Sequence, residues 1–176
     1  MTPFEVAFAR TIDHEKGLSL DPEDDGNWTG GKRGAGLLKG TKYGISAATY
    51  PDEDIANLTL ARAAFLYRRD FWNLLELDAL PVPLACLVFD AAVNHGPGNA
   101  LRILQRALGV SADGVIGEVT RRAMQAAVVR PELLVMRFIG HRLLFWSDRS
   151  KWPSFGKGWT RRGAKELLDA ADDFED

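Results

Sequence analysis

The long segment from Leu18 to Ile45 most constrains the fold of this chain, because it lacks the apolar helical repeat found on both sides of it. It contains "DPEDDGNWTGGKRGAGLLKGTKYGI" and is rich in glycine, aspartate and lysine. This composition predicts turns and short, irregular strands. A loop of this length inside a compact domain usually has a function or is mobile. The sequence therefore predicts a small irregular or β lobe inserted after a first helix.

The first helix has a clear start signal. Thr2 is the expected N-cap, Pro3 takes the first helical position, and Glu5 completes a capping box. An apolar stripe follows at helical spacing, formed by Phe4, Ala7, Phe8, Thr11 and Ile12. Glu15 continues the same face, and Gly17 is the expected helix stop.

Helical patterns fill the chain after Thr59, the expected N-cap of the next helix. The apolar segment "VPLACLVFDAAVNHG" has Pro83 near its start and Gly96 after its end. Four more candidate helices follow, "GNALRILQRALG", "GEVTRRAMQAAV", "PELLVMRFIGHRLLFWSD" and "GWTRRGAKELLDAAD", with a turn expected at Asp113 and Gly114. The predicted fold class is mainly α, a helical bundle with the small lobe inserted after the first helix.

Length and composition exclude several classes of protein. A chain of 176 residues is one domain, or one catalytic unit with a small appended one. Its net charge of -2 gives no electrostatic reason to expect nucleic acid or an anionic membrane as partner. No apolar run approaches the roughly 18 residues of a membrane span. The N-terminus lacks the pattern of a signal peptide, so we expect synthesis as a soluble cytoplasmic chain.

Metal and covalent chemistry have little support in the sequence. The lone cysteine, Cys86, lies in an apolar run and is expected to be a small buried side chain. The histidines His14, His95 and His141 match no zinc spacing. The chain has neither a nucleophile elbow nor a phosphate-binding glycine-rich motif. We expect no metal and no cofactor.

Glu15 is the first candidate for chemistry. An acid that continues an apolar face at a helix C-terminus is partly desolvated and lies at the negative end of the helix dipole. Both effects raise its pKa, as a general acid requires. The alternative is a solvated charge at a frayed helix end. Helix phase alone does not decide between the two.

The acidic cluster that follows is the second candidate, formed by Asp21, Glu23, Asp24 and Asp25. A second carboxylate across a cleft is the other half of a glycosidase pair. Solvated loop acids are the alternative for most of the four. Calcium binding is a weaker one, because "DPEDDG" lacks the regular ligand spacing of an EF-hand loop.

Hydroxyl and aromatic side chains in the same segment form a third set. Thr41 and Tyr43 stand between glycines in "KGTKYGIS" and suit a cleft wall, with ordinary turn chemistry as the alternative. Trp28, in a glycine-rich loop, is the best aromatic candidate for ligand or membrane contact. Late aromatics also suit sugar rings, although core packing explains helical aromatics more often; they are Phe145, Trp146, Trp152, Phe155 and Trp159.

These motifs, taken in order, resemble glycoside hydrolase family 108, a family of phage and bacterial lysozymes. "HEKGLSLDPEDDG" and "GTKYGIS" are similar to its signature, and "LTLARAAFLYRRDFW" looks like its following helix. "FDAAVNHGPGNALRILQRALGVSADGVIGEVT" and "GWTRRG" resemble the predicted peptidoglycan-binding part of such proteins. This chain departs from the pattern at Leu18, where the family has tyrosine, and in a long insertion within the acidic turn.

The resemblance implies a lysozyme-like fold and a catalytic trio. Glu15 would be the general acid and Asp24, nine residues on (24 − 15 = 9), the second carboxylate. The threonine partner would be Thr41 by its match to the motif, or Thr29 by its distance from Asp24. Substrate contacts would come from Tyr43, Asp25, Trp28 and Asn94.

The implied activity is that of a muramidase, which hydrolyses the β-1,4 bond between N-acetylmuramic acid and N-acetylglucosamine in peptidoglycan. Residues 1–80 would form the catalytic part and residues 81–176 a helical peptidoglycan-binding part packed against it, in a monomer. A phage lysin of this type would be made in the cytoplasm and would act on the wall after release. The rivals are a non-catalytic wall-binding protein and a chitinase or chitosanase of lysozyme-like fold.

Overall fold

The computed structural model describes residues 1–12 and 17–175. By their internal contacts these residues form two compact units. The small unit is Phe8–Arg69, and the helical unit combines Met1–Ala7 with Asp70–Asp176. The boundary predicted at residue 80 stays a prediction.

Within the described ranges, the structure contains seven α-helices, a few short 3-10 and π-helical segments and one small antiparallel sheet, and this confirms the predicted fold class. The helices are α1 (Pro3–Ile12), α2 (Leu60–Tyr67), α3 (Val82–His95), α4 (Pro97–Leu108), α5 (Glu118–Ala126), α6 (Pro131–Ser147) and α7 (Trp152–Glu175). The strands are β1 (Leu18–Ser19), β2 (Thr41–Lys42) and β3 (Ile45–Ser46). None of the described helices is both long and apolar enough to cross a bilayer.

The N-terminus of α1 has the predicted capping box. The Thr2 backbone N–H donates to Glu5 Oε2 at 2.8 Å, and the Glu5 N–H donates to Thr2 Oγ1 at 3.3 Å. The described part of the helix ends at Ile12. Residues 13–16, and with them Glu15, lie outside the described residues.

The small unit is built on a three-stranded sheet in the order β1-β2-β3. In its registers, Ser19 pairs with Thr41, and Thr41 in turn pairs with Ser46. Gly40 has a φ of +87°, and a Cβ there would lie 2.3 Å from the Ser19 carbonyl oxygen, so only glycine fits. A core of buried apolar side chains stabilises this unit, and it includes Ile45, Ile55, Leu58, Leu66 and Tyr67.

The helical unit is organised around α3, which packs against α4, α6 and α7. Ten of the 14 residues of α3 are buried, including Cys86 as expected. An aromatic cluster fills one end of the core: the Phe4 ring centroid lies 5.6 Å from that of Trp72 and 5.9 Å from that of Phe89. Side chains of this size stabilise a fold by roughly 2 to 3 kcal/mol each when fully buried.

The last helix begins earlier than the sequence predicts. We expected it to start at Gly158, and it starts at Trp152. Gly156 inside it has no room for a side chain, because a Cβ would lie 2.8 Å from the Trp152 ring. Close packing therefore overrides the weak helix propensity of the glycines in this stretch.

Candidate functional site

The glycine-rich segment of the small unit folds as a hairpin made of turns and one isolated bridge, in agreement with the predicted turns and short, irregular strands. Trp28 pairs with Leu38, and the Thr29 N–H donates to the Leu37 carbonyl at 3.0 Å. Thr29 Oγ1 accepts a second bond from the Leu37 N–H at 2.9 Å. Gly36 has a φ of +78°, and a Cβ there would overlap Thr29 Oγ1 at 2.2 Å. The Thr29 hydroxyl therefore belongs to the architecture of the hairpin.

Asn27 joins the two ends of this hairpin and is fully buried. Its carbonyl accepts the N–H groups of Lys39 and Gly40, both at 3.0 Å. Its side-chain amide donates to the Asp21 carbonyl at 2.9 Å, and its Oδ1 accepts the Thr41 hydroxyl at 2.7 Å. Sequence reasoning missed this residue, since an asparagine beside glycines is common in any turn.

The bond to Asn27 defines what the Thr41 hydroxyl can do. Its hydrogen is donated to Asn27 Oδ1, so the lone pairs of Thr41 Oγ1 are what remains to meet another group. A hydroxyl held in this way accepts a hydrogen bond, for example from a water molecule. Thr41 is half-buried on β2, in the strand that follows the hairpin.

Asp24 is exposed and begins a short 3-10 helix, Asp25–Asn27, as its N-cap. Its Oδ1 accepts the Gly26 N–H at 2.9 Å. This bond fixes the direction of the carboxylate without removing it from water. An asparagine would make the same cap, so the negative charge itself is not needed for the local fold.

The other acids of the cluster stabilise the loop. Asp21 accepts the Glu23 N–H at 2.9 Å, and Asp25 accepts the Arg33 N–H at 2.8 Å. The Arg33 guanidinium also forms an ion pair with Glu23. These contacts favour the solvated, structural interpretation for Asp21 and Glu23. Among the described residues, no group of three or more metal-ligating side chains lies together.

Tyr43 and Trp28 are both half-buried and both held by hydrogen bonds. Tyr43 has a φ of 52°, a left-handed conformation that costs a non-glycine residue about 1 kcal/mol or more. The Tyr67 hydroxyl donates to the Tyr43 carbonyl at 3.1 Å and stabilises this turn. Trp28 Nε1 donates to the Pro22 carbonyl at 3.0 Å, which leaves the indole ring for other contacts.

The predicted site residues are distributed over both units. Asp24, Asp25, Trp28, Thr41 and Tyr43 lie in the small unit. Asn94 lies near the end of α3 in the helical unit, where its Nδ2 donates to the Asp90 carbonyl at 2.8 Å. Glu15 falls outside the described residues. The role assigned to each of these residues stays a prediction.

The helical unit also contains a buried charge cluster that sequence reasoning missed. Arg142 on α6 is fully buried and contacts Asp90 Oδ2 at 2.6 Å and Glu166 Oε2 at 2.5 Å. Arg162 on α7 contacts Asp90 Oδ1 at 2.8 Å. An aspartate inside the apolar run "LVFDAAV" was the available signal.

The pKa values of the two carboxyls in this cluster are shifted in opposite directions. Burial opposes ionisation of Asp90, but its hydrogen bond with Glu166 and the charges of Arg142 and Arg162 hold its pKa well below the usual range. Burial and the hydrogen bond to Asp90 raise the pKa of Glu166 to about 9. Glu166 Oε1 is buried without a hydrogen-bond partner among the described residues, and it lies 3.5 Å from Arg162 Nε.

His95, at the end of α3, lies against this cluster. Its Nε2 accepts the Trp146 indole N–H at 2.9 Å and the Arg142 Nε–H at 3.3 Å. Burial, and then the charge of Arg142, lower the pKa of His95 to about 4. His95 is therefore neutral near pH 7, and it accepts hydrogen bonds at Nε2.

A cavity of about 420 Å³ opens beside His95. Its walls include Asn94, Phe145, Trp159, Arg149, Lys151 and Arg162. A second cavity, of about 380 Å³, shares Phe145 and Arg149 with the first. Both lie within the helical unit.

Comparison with known proteins gives matches to two family models and to solved structures. Residues 8–96 match the family described as "Glycosyl hydrolase 108", and residues 99–164 match the "Predicted Peptidoglycan domain". One of the similar solved structures is "Structure of Brucella abortus SagA", with 28% sequence identity and a TM-score of 0.77. The alignment covers 96% of this chain and 94% of that one. No curated protein matches this chain.

Proposed function

Because this chain belongs to the glycosyl hydrolase 108 family, we propose that it is a muramidase that cleaves the β-1,4 bond between N-acetylmuramic acid and N-acetylglucosamine. The resemblance drawn from its motifs is confirmed by the match over residues 8–96. The chain is a glycoside hydrolase of mainly α, lysozyme-like fold that acts on peptidoglycan. The observation that most supports the finer assignment is the Thr41–Asn27 bond, because it leaves a positioned acceptor beside the acidic turn.

In the proposed mechanism, Glu15 protonates the glycosidic oxygen as the bond to the sugar breaks. This assignment rests on the sequence pattern, which predicts that Glu15 continues the apolar face of the first helix, and on the place of Glu15 within the matched family segment. A general acid must retain its proton near neutral pH, and the partial burial that the sequence predicts for Glu15 would favour this. The carboxylate left behind then accepts a proton from water.

Asp24 supplies the negative charge in this proposal. The Asp24 carboxylate is exposed, and its capping bond to the Gly26 N–H fixes its orientation at little cost. It would stabilise the oxocarbenium-like transition state or orient the attacking water. Thr41 Oγ1 would accept a hydrogen bond from that water. The hydrogen bonding of Thr29 inside the hairpin favours Thr41 for this role.

The test is release of new reducing ends from purified peptidoglycan, followed by mass analysis of the fragments. We expect fragments that end in reducing N-acetylmuramic acid, and their loss in Glu15→Gln, with the fold unchanged by circular dichroism. Glu132→Gln, an exposed acid on α6, is the matched control and should retain activity. Lytic activity in Glu15→Gln would exclude the mechanism. Cleavage of chitin oligomers in preference to peptidoglycan would support the chitinase alternative.

We further propose that the enzyme is made in the bacterial cytoplasm and reaches the wall only when a separate pore-forming protein opens the inner membrane. The resemblance of its motifs to those of phage and bacterial lysozymes supports this role of a lysin. Expression alone should leave cells intact, and permeabilisation of the inner membrane from outside should then cause lysis. Lysis on expression alone would argue against the proposal.

A further inference from the structure

We propose that the cavity beside His95 binds a carboxylate-bearing sugar unit of peptidoglycan, and that the helical unit thereby contacts the substrate independently of the small unit. The inference deepens the proposed function and rests on it for the identity of the polymer. It is argued from the aromatic walls, the charges and the rigid floor of this cavity, all within the helical unit.

The aromatic walls of the cavity offer flat surfaces of the kind that pack against sugar rings. Phe145 and Trp159 are half-buried and line the cavity, so part of each ring is accessible. Trp159 is held in place by stacking on the buried Trp146, with ring centroids 6.3 Å apart and an interplanar angle of 23°. Phe155 also stacks on Trp159, with ring centroids 6.1 Å apart. Amphipathic rings held rigidly lose little entropy on binding, which favours a saccharide ligand.

Cations surround these aromatic faces. Arg149 and Lys151 are exposed at the rim, and the Arg149 guanidinium carbon lies 4.2 Å from the centroid of the Phe145 ring. Arg162 lines the same cavity with its side chain 41% exposed. Stacking on Phe145 holds one guanidinium ready to bind a carboxylate with two hydrogen bonds.

Positive charge extends into the second cavity on the other side of Phe145. Arg102 and Arg106 line it together with Arg149, and its one acidic lining residue is Asp148. The whole chain has a net charge of -2, so this concentration of cations is local and not a general property of the surface. A concave site lined by one sign of charge attracts ligands of the opposite sign.

The floor of the cavity is rigid and holds the aromatic and cationic side chains of its walls in fixed positions. His95 is fixed by the Trp146 N–H, and Trp146 itself is buried beside Arg142. Arg162 is held by two bonds to Asp90, at 3.1 Å from Nε and 2.8 Å from Nη2. Asn94, which the sequence predicted as a substrate contact, lies at the edge of the same cavity. A preorganised floor of this kind lowers the entropic cost of binding.

Peptidoglycan combines the two features that this cavity suits. Its amino sugars present apolar ring faces, and every second sugar bears a lactyl-linked peptide that ends in free carboxylates. Chitin has the sugar rings without the carboxylates. The cavity should therefore prefer a disaccharide–peptide to a neutral disaccharide of the same length.

The test is calorimetric titration of the intact chain with a soluble disaccharide–tetrapeptide, which contains no bond that the proposed muramidase would cleave. Arg149→Glu combined with Lys151→Glu should weaken binding at least about tenfold, since a charge-assisted hydrogen bond contributes roughly 1.5 to 3 kcal/mol. Lys157→Glu, an exposed cation of α7 outside both cavity walls, is the matched control and should bind like the unchanged chain. Equal affinity of the double variant would overturn the inference.

Two further arms identify the ligand chemistry. N,N′-diacetylchitobiose should bind at least about tenfold more weakly than the disaccharide–peptide, and equal binding would overturn the role of the carboxylate. Glycerol phosphate oligomers should compete weakly, whereas tighter binding of these oligomers would assign the cations to a phosphate polymer instead. Amide chemical-shift changes on titration should centre on residues 145–162, and changes confined to residues 18–50 would place binding elsewhere.

The inference and the proposed function fail in different measurements. If no reducing ends are released yet the disaccharide–peptide binds this cavity, the muramidase assignment fails and the inference stands. If peptidoglycan is cleaved and the double variant still binds the disaccharide–peptide normally, the inference fails alone.

Discussion

The small unit and the helical unit differ in where their carboxylate clusters lie, exposed to solvent in the first and buried beside arginines in the second. In the acidic turn of the small unit, carboxylates such as Asp24 and Asp25 are exposed and accept backbone N–H groups. In the helical unit, Asp90 and Glu166 are taken out of water and paired with arginines. An exposed carboxylate remains available for chemistry at little cost to stability. A buried one contributes to structure and is expensive to disturb.

Arg142→Ala should test this contrast with the largest loss of stability. The substitution removes a fully buried cation and leaves Asp90 without its shortest ion pair. Removing one partner of a buried pair costs roughly 3 to 5 kcal/mol. The measurement is chemical denaturation, with Arg137→Ala, an exposed arginine on the same helix, as control. A loss equal to that of the control would mean that the buried charges are not structural.

Asn27→Ala should have the next largest effect. It removes the acceptor of the Thr41 hydroxyl and the donor to the Asp21 carbonyl, and unsatisfied buried groups cost roughly 1 to 3 kcal/mol each. Reducing-end release should also fall, because Thr41 loses its orientation. Asn57→Ala, an exposed asparagine of the same unit, serves as control. Full activity in Asn27→Ala would remove the case for Thr41 as a positioned acceptor.

The free energy of unfolding measured as a function of pH should reveal the contribution of His95. Its folded pKa of about 4 lies below its ordinary value of 6.5, so the unfolded chain binds more protons between these values. The stability of the unchanged chain relative to His95→Gln should therefore be greatest above pH 6.5 and fall as the pH drops toward 4. Asp90 and Glu166 titrate in both proteins, so their contributions largely cancel. A difference independent of pH would contradict a buried neutral histidine.

Asp24→Asn should change stability least, by roughly 0.5 kcal/mol or less, because asparagine is as good an N-cap as aspartate. We nevertheless expect reducing-end release to fall by about 10²-fold or more, since the charge is what the proposed mechanism uses. Asp21→Asn, in the same turn, should retain activity. Comparable activity in the two variants would make Asp24 an ordinary cap and would leave the second carboxylate unidentified.

Local signals in the sequence predicted the helices well. The capping box at Thr2, the N-cap at Thr59 and the stop at Gly96 are all encoded within a few residues and all appear in the structure. The candidate residues around Asp24 were also found from sequence, because their motif is local and ordered. The family match supports the activity without testing those individual roles.

Long-range pairing was what the sequence could not provide. The hairpin depends on hydrogen bonds between Asn27 and residues 39–41, and the local sequence around Asn27 does not predict those partners. Arg142 meets Asp90 across 52 positions of sequence. In the sequence, each of these residues is a single polar residue in an apolar or glycine-rich run. Only the folded structure shows that the partners are in contact. Helix periodicity likewise predicted too late a start for α7. A periodic pattern contains no information on the close packing of Gly156 against the Trp152 ring.

Closure of the hairpin at its base by Asn27 makes its tip a practical attachment point. Both ends of the loop are tied together below Trp28 and Leu38, so the chain around Lys32 and Gly34 lies beyond the groups that orient Thr41. The entropic cost of lengthening a loop whose ends are already joined increases only slowly with loop length. A fluorophore-bearing peptide or an affinity tag inserted after Gly34 would report on the folded enzyme with the Asn27–Thr41 bond in place, as long as Arg33 keeps its contacts with Asp25 and Glu23 of the acidic turn.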